Sequence, residues 1–253
     1  MNWQTPKENW HPSDPEGVAG DDLNRIEGNT QFLAEVSAIE DYDGRRYRTI
    51  TINGQQWTAD NWASAKYNDG TGVPLVTDQT AWEAATTPAY CLYDNYVSQY
   101  GALYNWHVVD PGNAKTLAPE GWRVPTLFDI TTLNNYLIAQ GYRYDRTTTP
   151  VDVKTGKSWA SVHGWTDYTS GFGPITPGEG LERNNNSGVS IYPGGLRQTL
   201  FDSIQNQGFI WTQSVSGSDP YHATVQYNGT DLTTAATASS KYMGMSVKFV
   251  REI

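Results

Sequence analysis

Residues whose types and spacing could support catalysis or hold a metal are few in this sequence. Its four histidines are scattered along the chain, at His11, His107, His163 and His222. They form neither an HExxH sequence nor a close pair, so the sequence offers no set of ligands for the zinc ion of a hydrolase. The single cysteine, Cys91, excludes an internal disulfide and a site of several thiolates. We expect it to be a buried thiol without redox chemistry.

Acidic residues are plentiful, but their spacing is typical of turns. The pair Asp41 and Asp43 is interpreted as solvated turn residues rather than as a catalytic acid and base. The sequence YNDGTG at 67–72 could place oxygens near a cation, yet it lacks the EF-hand pattern and predicts a tight turn. No GxSxG elbow, P-loop or GxGxxG after a strand is present. The sequence therefore predicts a protein that is not an enzyme and uses no cofactor or metal.

The charge balance narrows the classes of partner. Acidic residues outnumber basic ones by 27 to 17, and the net charge of −10 repels phosphate backbones and anionic membrane surfaces. No apolar run is long enough to insert into a membrane, and a basic segment followed by an apolar one is missing from the start. We therefore expect synthesis in the cytoplasm, no nucleic-acid partner and no membrane insertion.

The segment between Trp211 and Met243 differs in composition from the rest of the chain. It is built from small polar residues with occasional Tyr, and apolar strand-like sequences flank it. Such residues are typical of adaptable binding loops, although an ordinary polar surface hairpin is the alternative. Within it, Val225 and Tyr227 alternate with polar residues and lead into the turn signal Asn228-Gly229. This pattern predicts a hairpin that displays every second residue outward.

The elements expected to position this segment are short strands and two helices. Residues 1–20 predict an extended arm, and an apolar stripe predicts a helix over about 22–38. That helix packs on its own domain or serves as an oligomer seam or docking element. Beyond residue 40, Asn53-Gly54 predicts a strand hairpin, while Pro125-Thr126 begins a second helix that Gly141 ends. These features together indicate an α+β domain with long loops.

Residues 41–253 also resemble a known family. The matching segments are DYDGRRY with NGQQWTADNW, KYNDG, AYCLYDN, YGALYNW, PEGWRVPT, SGVSIYPGGLR, GFIWTQS and GMSVKFVR. They are similar, in order, to the Fibrobacter succinogenes major paralogous domain. The resemblance implies a C-type lectin-like fold of the formylglycine-generating-enzyme-like subtype, with two main helices, short antiparallel strands and long loops. The family often has cysteines where this chain has Ala118 and Phe249, and their joint absence is expected if they pair in relatives.

Several proteins of this type are variable proteins of diversity-generating retroelements, in which adenine-directed mutagenesis rewrites a C-terminal stretch. The resemblance implies that residues 211–251 are such a variable region. Alternation, composition and family position select the candidate ligand contacts, which are Ser214, Ser216, Ser218, Tyr221, His222, Thr224, Gln226, Asn228, Asp231, Thr233, Thr237, Ser239 and Tyr242. Trp57, Trp106, Trp122 and Trp211 are expected to form the buried frame beneath them.

The sequence GDDLNRIEGNTQFLAE is similar to segments near the start of phage structural proteins. It favours a virion tail adhesin that recognises a host cell-surface protein or glycan, with a microbial cell surface as the alternative location. Residues 1–40 would then contact other virion proteins or associate into a homo-oligomer. Two other functions remain open: a structural tail or baseplate subunit without diversified binding, and an enzyme of the formylglycine-generating kind.

Overall fold

A computed structural model describes residues 38–97, 99–146, 154–236 and 241–253. The predicted arm and the helix predicted over about 22–38 lie outside these residues, except for Ala38, which begins a strand. Within the described part, no helix is long and apolar enough to cross a bilayer.

The strands are short and the helices are few. The strands are β1 Ala38–Glu40, β2 Arg46–Ile52, β3 Gln55–Thr58, β4 Tyr90–Cys91, β5 Leu103–Tyr104, β6 Gly194–Arg197, β7 Phe201–Ile204, β8 Gln207–Ser216, β9 Asp219–Gln226, β10 Leu232–Ala236 and β11 Val250–Glu252. The helices are α1 Gln79–Glu83, α2 Trp106–Val109, α3 Leu127–Ala139 and α4 Gly156–Trp159, with a 3₁₀ turn at Leu181–Arg183. This confirms an α+β domain with long connections.

The strands of the described residues form four antiparallel sheets. The largest has the order β1-β2-β3-β11, so the last strand of the chain pairs with an early one, with Val250 opposite Trp57. The second has the order β10-β9-β8, and β4-β5 and β6-β7 form two-stranded sheets. The pairing of β11 with β3 closes the domain, because it ties its first and last described segments into one sheet.

Both strong local predictions are confirmed. Asn53 and Gly54 have φ of 52° and 71°, which is the backbone that a two-residue type I′ hairpin requires. They join β2 to β3, with Ile52 opposite Gln55. The turn at 67–72 is also present, closed by a hydrogen bond from the Gly70 amide to the Tyr67 carbonyl at 3.0 Å.

Helix α3 begins and ends where the sequence predicts. Thr126 and Asp129 form a capping box, in which each side chain accepts a hydrogen bond from the other's backbone amide. Its apolar residues Ile130, Leu133, Leu137 and Ile138 are buried, and Gly141 follows the helix with φ of 74°. The short helices α1, α2 and α4 have too few residues to show a period, and the sequence does not predict them.

The core consists of two large clusters and a smaller one. The first surrounds Trp106, Trp122 and Trp211, and the second contains Trp57 together with Trp159. All four tryptophans of the predicted frame are buried, which confirms that expectation. The third cluster contains Cys91, and burial raises the pKa of its thiol to about 11. The prediction of a buried thiol is therefore confirmed.

Candidate binding face

The polar C-terminal segment folds as the sheet β8-β9-β10. Antiparallel pairing places Trp211 opposite His222 and Phe209 opposite Thr224, while the intervening pair is Ile210 and Ala223. Because neighbouring residues of a strand point to opposite faces, Ile210 and Ala223 enter the second core cluster and the Trp211 pair lies on the other face. Strand β9 is the central strand and β10 is an edge.

His222 and Thr224 are buried, so their prediction as solvent-facing contacts is wrong. Their side chains are 9% and 5% exposed. The rings of Phe209 and Trp211 lie 5.8 Å and 6.2 Å from the imidazole of His222, between ring centroids, and cover it. Alternation therefore fails as a guide to exposure here, because this central strand is covered on both faces. Burial also lowers the pKa of His222 to about 4, which keeps the imidazole neutral at pH 7.

The turn between β8 and β9 carries the most exposed polar positions of the hairpin. Ser216 and Ser218 are exposed, as predicted, on either side of Gly217, whose φ is 62°. Ser214 is only half-buried, and its Oγ accepts a hydrogen bond from the Leu127 amide at 2.9 Å. This hydroxyl satisfies one of the free amides at the start of α3. Ser214 therefore has a structural contact in addition to any contact with a ligand.

A hairpin also joins β9 to β10, through the loop 227–231. Asn228 is exposed, and Gly229 donates its amide to the Gln226 carbonyl at 3.2 Å. Asp231 is half-buried, and its carboxylate accepts a hydrogen bond from the Lys154 amide at 2.6 Å. The predicted hairpin is present, and the Asp231 hydrogen bond connects its loop to the segment that contains Lys154.

The other predicted contacts vary in exposure. Thr233 is exposed, and Tyr221, Gln226 and Tyr242 are half-buried. Thr237 and Ser239 lie outside the described residues. We call the exposed and half-buried side chains of residues 213–236, 241 and 242 the C-terminal face.

Besides the predicted Thr233, the edge strand has exposed positions that the sequence analysis does not select. Strand β10 buries only its first residue, Leu232, and leaves Thr233, Thr234, Ala235 and Ala236 exposed. The strand has two threonines followed by two alanines, so polar and apolar residues do not alternate along it. A period of two therefore does not predict which of its residues are exposed. The low apolarity of LTTAA and its position after a hairpin turn are the features that could have identified the edge.

The C-terminal face lies on a frame of buried rings held by hydrogen bonds. The Trp211 indole donates to the Tyr104 carbonyl at 2.8 Å, and the Trp106 indole donates to the Thr212 carbonyl at 3.2 Å. Lys241 lies over the Trp106 ring, with its Nζ 4.8 Å from the ring centroid. The two indole hydrogen bonds anchor the strands beneath the face without its side chains, and Lys241 is the member of the face that contacts this frame.

A comparison with protein-family models matches residues 50–251 to the Fibrobacter succinogenes major domain. The chain belongs to this family. Comparisons with curated proteins and with solved structures give no match. The matched range of the Fibrobacter succinogenes major domain starts within β2 and includes all of the C-terminal face.

Segments that carry the family resemblance have structural roles in this Fibrobacter succinogenes major domain. The buried Arg197 donates to the Val76 and Thr77 carbonyls at 2.7 Å and 2.9 Å, and its guanidinium lies 4.5 Å from the Trp82 ring centroid. A Cβ at Gly244 would lie 2.8 Å from the same ring, so only glycine fits there. These residues build the frame rather than a site.

The two positions at which the resemblance implies cysteine in relatives are filled by buried apolar residues in this chain. Ala118 and Phe249 are 1% and 0% exposed, and both belong to the first core cluster. Apolar packing therefore occupies the two positions in this chain.

Within the described residues, no three His, Cys, Asp or Glu side chains are close enough to hold a metal ion. The nearby aromatic and polar side chains provide hydrogen bonds and ring surfaces. The exposed and half-buried side chains of the C-terminal face thus offer hydroxyls, amides and tyrosine rings at its surface.

Proposed function

We propose that this protein is a non-enzymatic binding protein whose C-terminal face contacts a host cell-surface protein or glycan. The observation that carries the proposal is a separation of roles within one short sheet. Buried residues such as Trp211, Ala223 and Val225 hold the backbone, whereas Ser216, Asn228 and Thr233 project into solvent. Exposed positions of this kind can change without removing core contacts.

More specifically, we propose that the protein is a variable protein of a diversity-generating retroelement. Its fold would be the C-type lectin-like fold of the formylglycine-generating-enzyme-like subtype. Family membership supports this identity, as does the sheet that joins β11 to β3. The proposed setting is a virion tail, after synthesis in the host cytoplasm, with a microbial cell surface as the alternative. Residues 1–40 would mediate assembly.

The enzymatic alternative receives little support from the cysteine. Formylglycine-generating chemistry, as the resemblance implies it, uses two cysteines, and this chain has one. Cys91 is fully buried, and its thiol pKa is raised to about 11, so the nucleophilic thiolate is disfavoured.

Sequencing of the DNA around the gene tests the proposed variation. We expect a reverse transcriptase gene and an adenine-rich near copy of the 3′ end of the coding sequence. The copy should differ at codons for exposed or half-buried residues such as Ser216, Ser218 and Tyr221. It should agree at codons for Trp211 and Val225. A surrounding region without such a copy, or a copy that differs mainly at buried codons, would favour the structural tail subunit instead.

A further inference from the structure

A cationic cavity lies beside the carboxyl end of α3. Its volume is about 580 Å³, and Arg143, Arg146, Lys157 and Arg183 are among the residues that line it. None of its described lining residues is acidic, although the chain carries a net charge of −10. Positive charge is therefore concentrated at one concave site of an acidic protein.

The chain reversal after α3 brings two of these arginines to the cavity. Gly141 has φ of 74° and ends the helix, and the Arg146 amide donates to the Arg143 carbonyl at 3.0 Å to close the next turn. Arg143 is 4% exposed, whereas Arg146 is exposed. Arg146 has φ of 59°, in the left-handed region that disfavours non-glycine residues. The turn therefore holds one guanidinium in the cavity wall and a second in solvent.

Lys157 is a buried cation in the cavity lining whose ammonium protons already have hydrogen-bond acceptors. It is 4% exposed, and its Nζ donates to the carbonyls of Thr176, Glu179 and Gly180 at 3.0, 2.6 and 3.1 Å. Three carbonyls match the three protons of an ammonium group. Lys157 would therefore attract an anion through its field, and the direct contacts would come from other side chains.

Arg183 supplies a second exposed guanidinium to the lining of the cavity. Its side chain is 65% exposed, and its Nε lies 3.6 Å from Glu182 Oε1. An exposed pair at that distance is weak and is easily exchanged for a better partner. The amides of Gln140 and Asn186 and the ring of Tyr142 also line the cavity. Together they surround the guanidinium groups with hydrogen-bonding groups and an aromatic surface.

We propose that this cavity binds a small acidic sugar, a mono- or disaccharide bearing a carboxylate or sulfate group. Arginine guanidinium groups match the planar oxygen pair of a carboxylate or the oxygens of a sulfate, and amides suit sugar hydroxyls. The volume lies within the range of small-ligand pockets. Long polyanions such as nucleic acids are disfavoured, because the rest of the acidic surface would repel them. The cavity and the C-terminal face share no described residue, so either could bind without the other.

Calorimetric titration of the full chain tests this assignment. The probes are glucuronic acid, a sulfated disaccharide, glucose and inorganic phosphate. We expect saturable binding of an acidic sugar and none of glucose. In the double variant Arg146→Gln with Arg183→Gln, the affinity should fall about tenfold or more, as expected for lost charged hydrogen bonds. Both side chains are exposed, so the double variant should fold, which circular dichroism verifies.

The matched control is Arg46→Gln, which removes an exposed arginine from β2 and should leave the affinity unchanged. Equal binding of glucose and glucuronic acid would overturn the assignment. An unchanged affinity in the double variant, or the absence of saturation with both acidic sugars, would do so as well. Phosphate binding as tight as that of the acidic sugars would overturn the sugar assignment in favour of a general oxyanion site.

Discussion

At the scale of single residues, the polar side chains of the described chain are of two kinds. Buried ones affect the stability of the fold, whereas exposed ones form its polar surface. His222 belongs to the polar sequence that predicts binding, yet Phe209 and Trp211 cover it. A buried neutral imidazole is part of the frame, and its effect should be visible as a dependence of stability on pH.

His222 should make the fold sensitive to acid. Burial lowers its pKa to about 4 from 6.5, so between these values the unfolded chain binds a proton that the folded chain does not. Stability attributable to this group is complete above about pH 6.5 and is lost as the pH falls towards 4. The loss should be about 2–3 kcal/mol. Urea denaturation across this range should show a smaller loss in His222→Gln than in the wild type.

The matched control is His163→Gln, because His163 is exposed. It should retain the wild-type dependence of the unfolding free energy on pH. Identical pH profiles for His222→Gln and the wild type would show that the imidazole of His222 is not held neutral by the fold.

At the scale of elements, α3 and the C-terminal sheet are joined through Ser214. Its Oγ accepts a hydrogen bond from the Leu127 amide at the start of the helix. Ser214→Ala should therefore lower the free energy of unfolding by about 1 kcal/mol, as for other lost helix-start hydrogen bonds. Ser216→Ala, two residues further on and exposed, should change it by less than about 0.5 kcal/mol. Chemical denaturation compares the two variants, and equal effects would argue against the contact.

The pair Thr224 and Thr233 offers a second element-scale test. The two residues lie opposite each other on β9 and β10, but Thr224 is 5% exposed and Thr233 is exposed. Thr224→Tyr should destabilise the fold by about 1–3 kcal/mol, because a tyrosine ring does not fit in the buried space that the threonine side chain occupies. Thr233→Tyr should remain within about 0.5 kcal/mol of the wild type. Thermal or urea denaturation that ranked them in the opposite order would contradict the orientation of β10.

Local signals predicted part of this architecture, and contacts between distant segments determined the rest. Asn53-Gly54 and the Thr126 capping box act within a few residues, so their sequence patterns are sufficient. The burial of His222 depends on Phe209 and Trp211 from another strand, and alternation cannot show that both faces are covered. Four cations from three separate segments meet at the cavity without a shared motif. Likewise, the short helices depend on tertiary packing rather than on a period.

At the scale of the whole molecule, the proposed function places stability and recognition in different residues. The two large core clusters hold all four tryptophans of the predicted frame, and β11 closes the domain by pairing with β3. The exposed positions of the C-terminal face contribute little to these contacts. A protein arranged in this way can acquire a new ligand specificity while it keeps its fold.

Two libraries of the full chain test this separation most directly, with protease resistance as the measure of folding. The first randomises exposed positions, Ser216, Ser218, Asn228, Thr233 and Thr234. The second randomises the same number of buried positions in the same sheet, Ile210, His222, Ala223, Thr224 and Val225. We predict that most clones of the first library fold and that most clones of the second do not. Similar losses of folded clones in both libraries would contradict the assignment of stability and recognition to different residues.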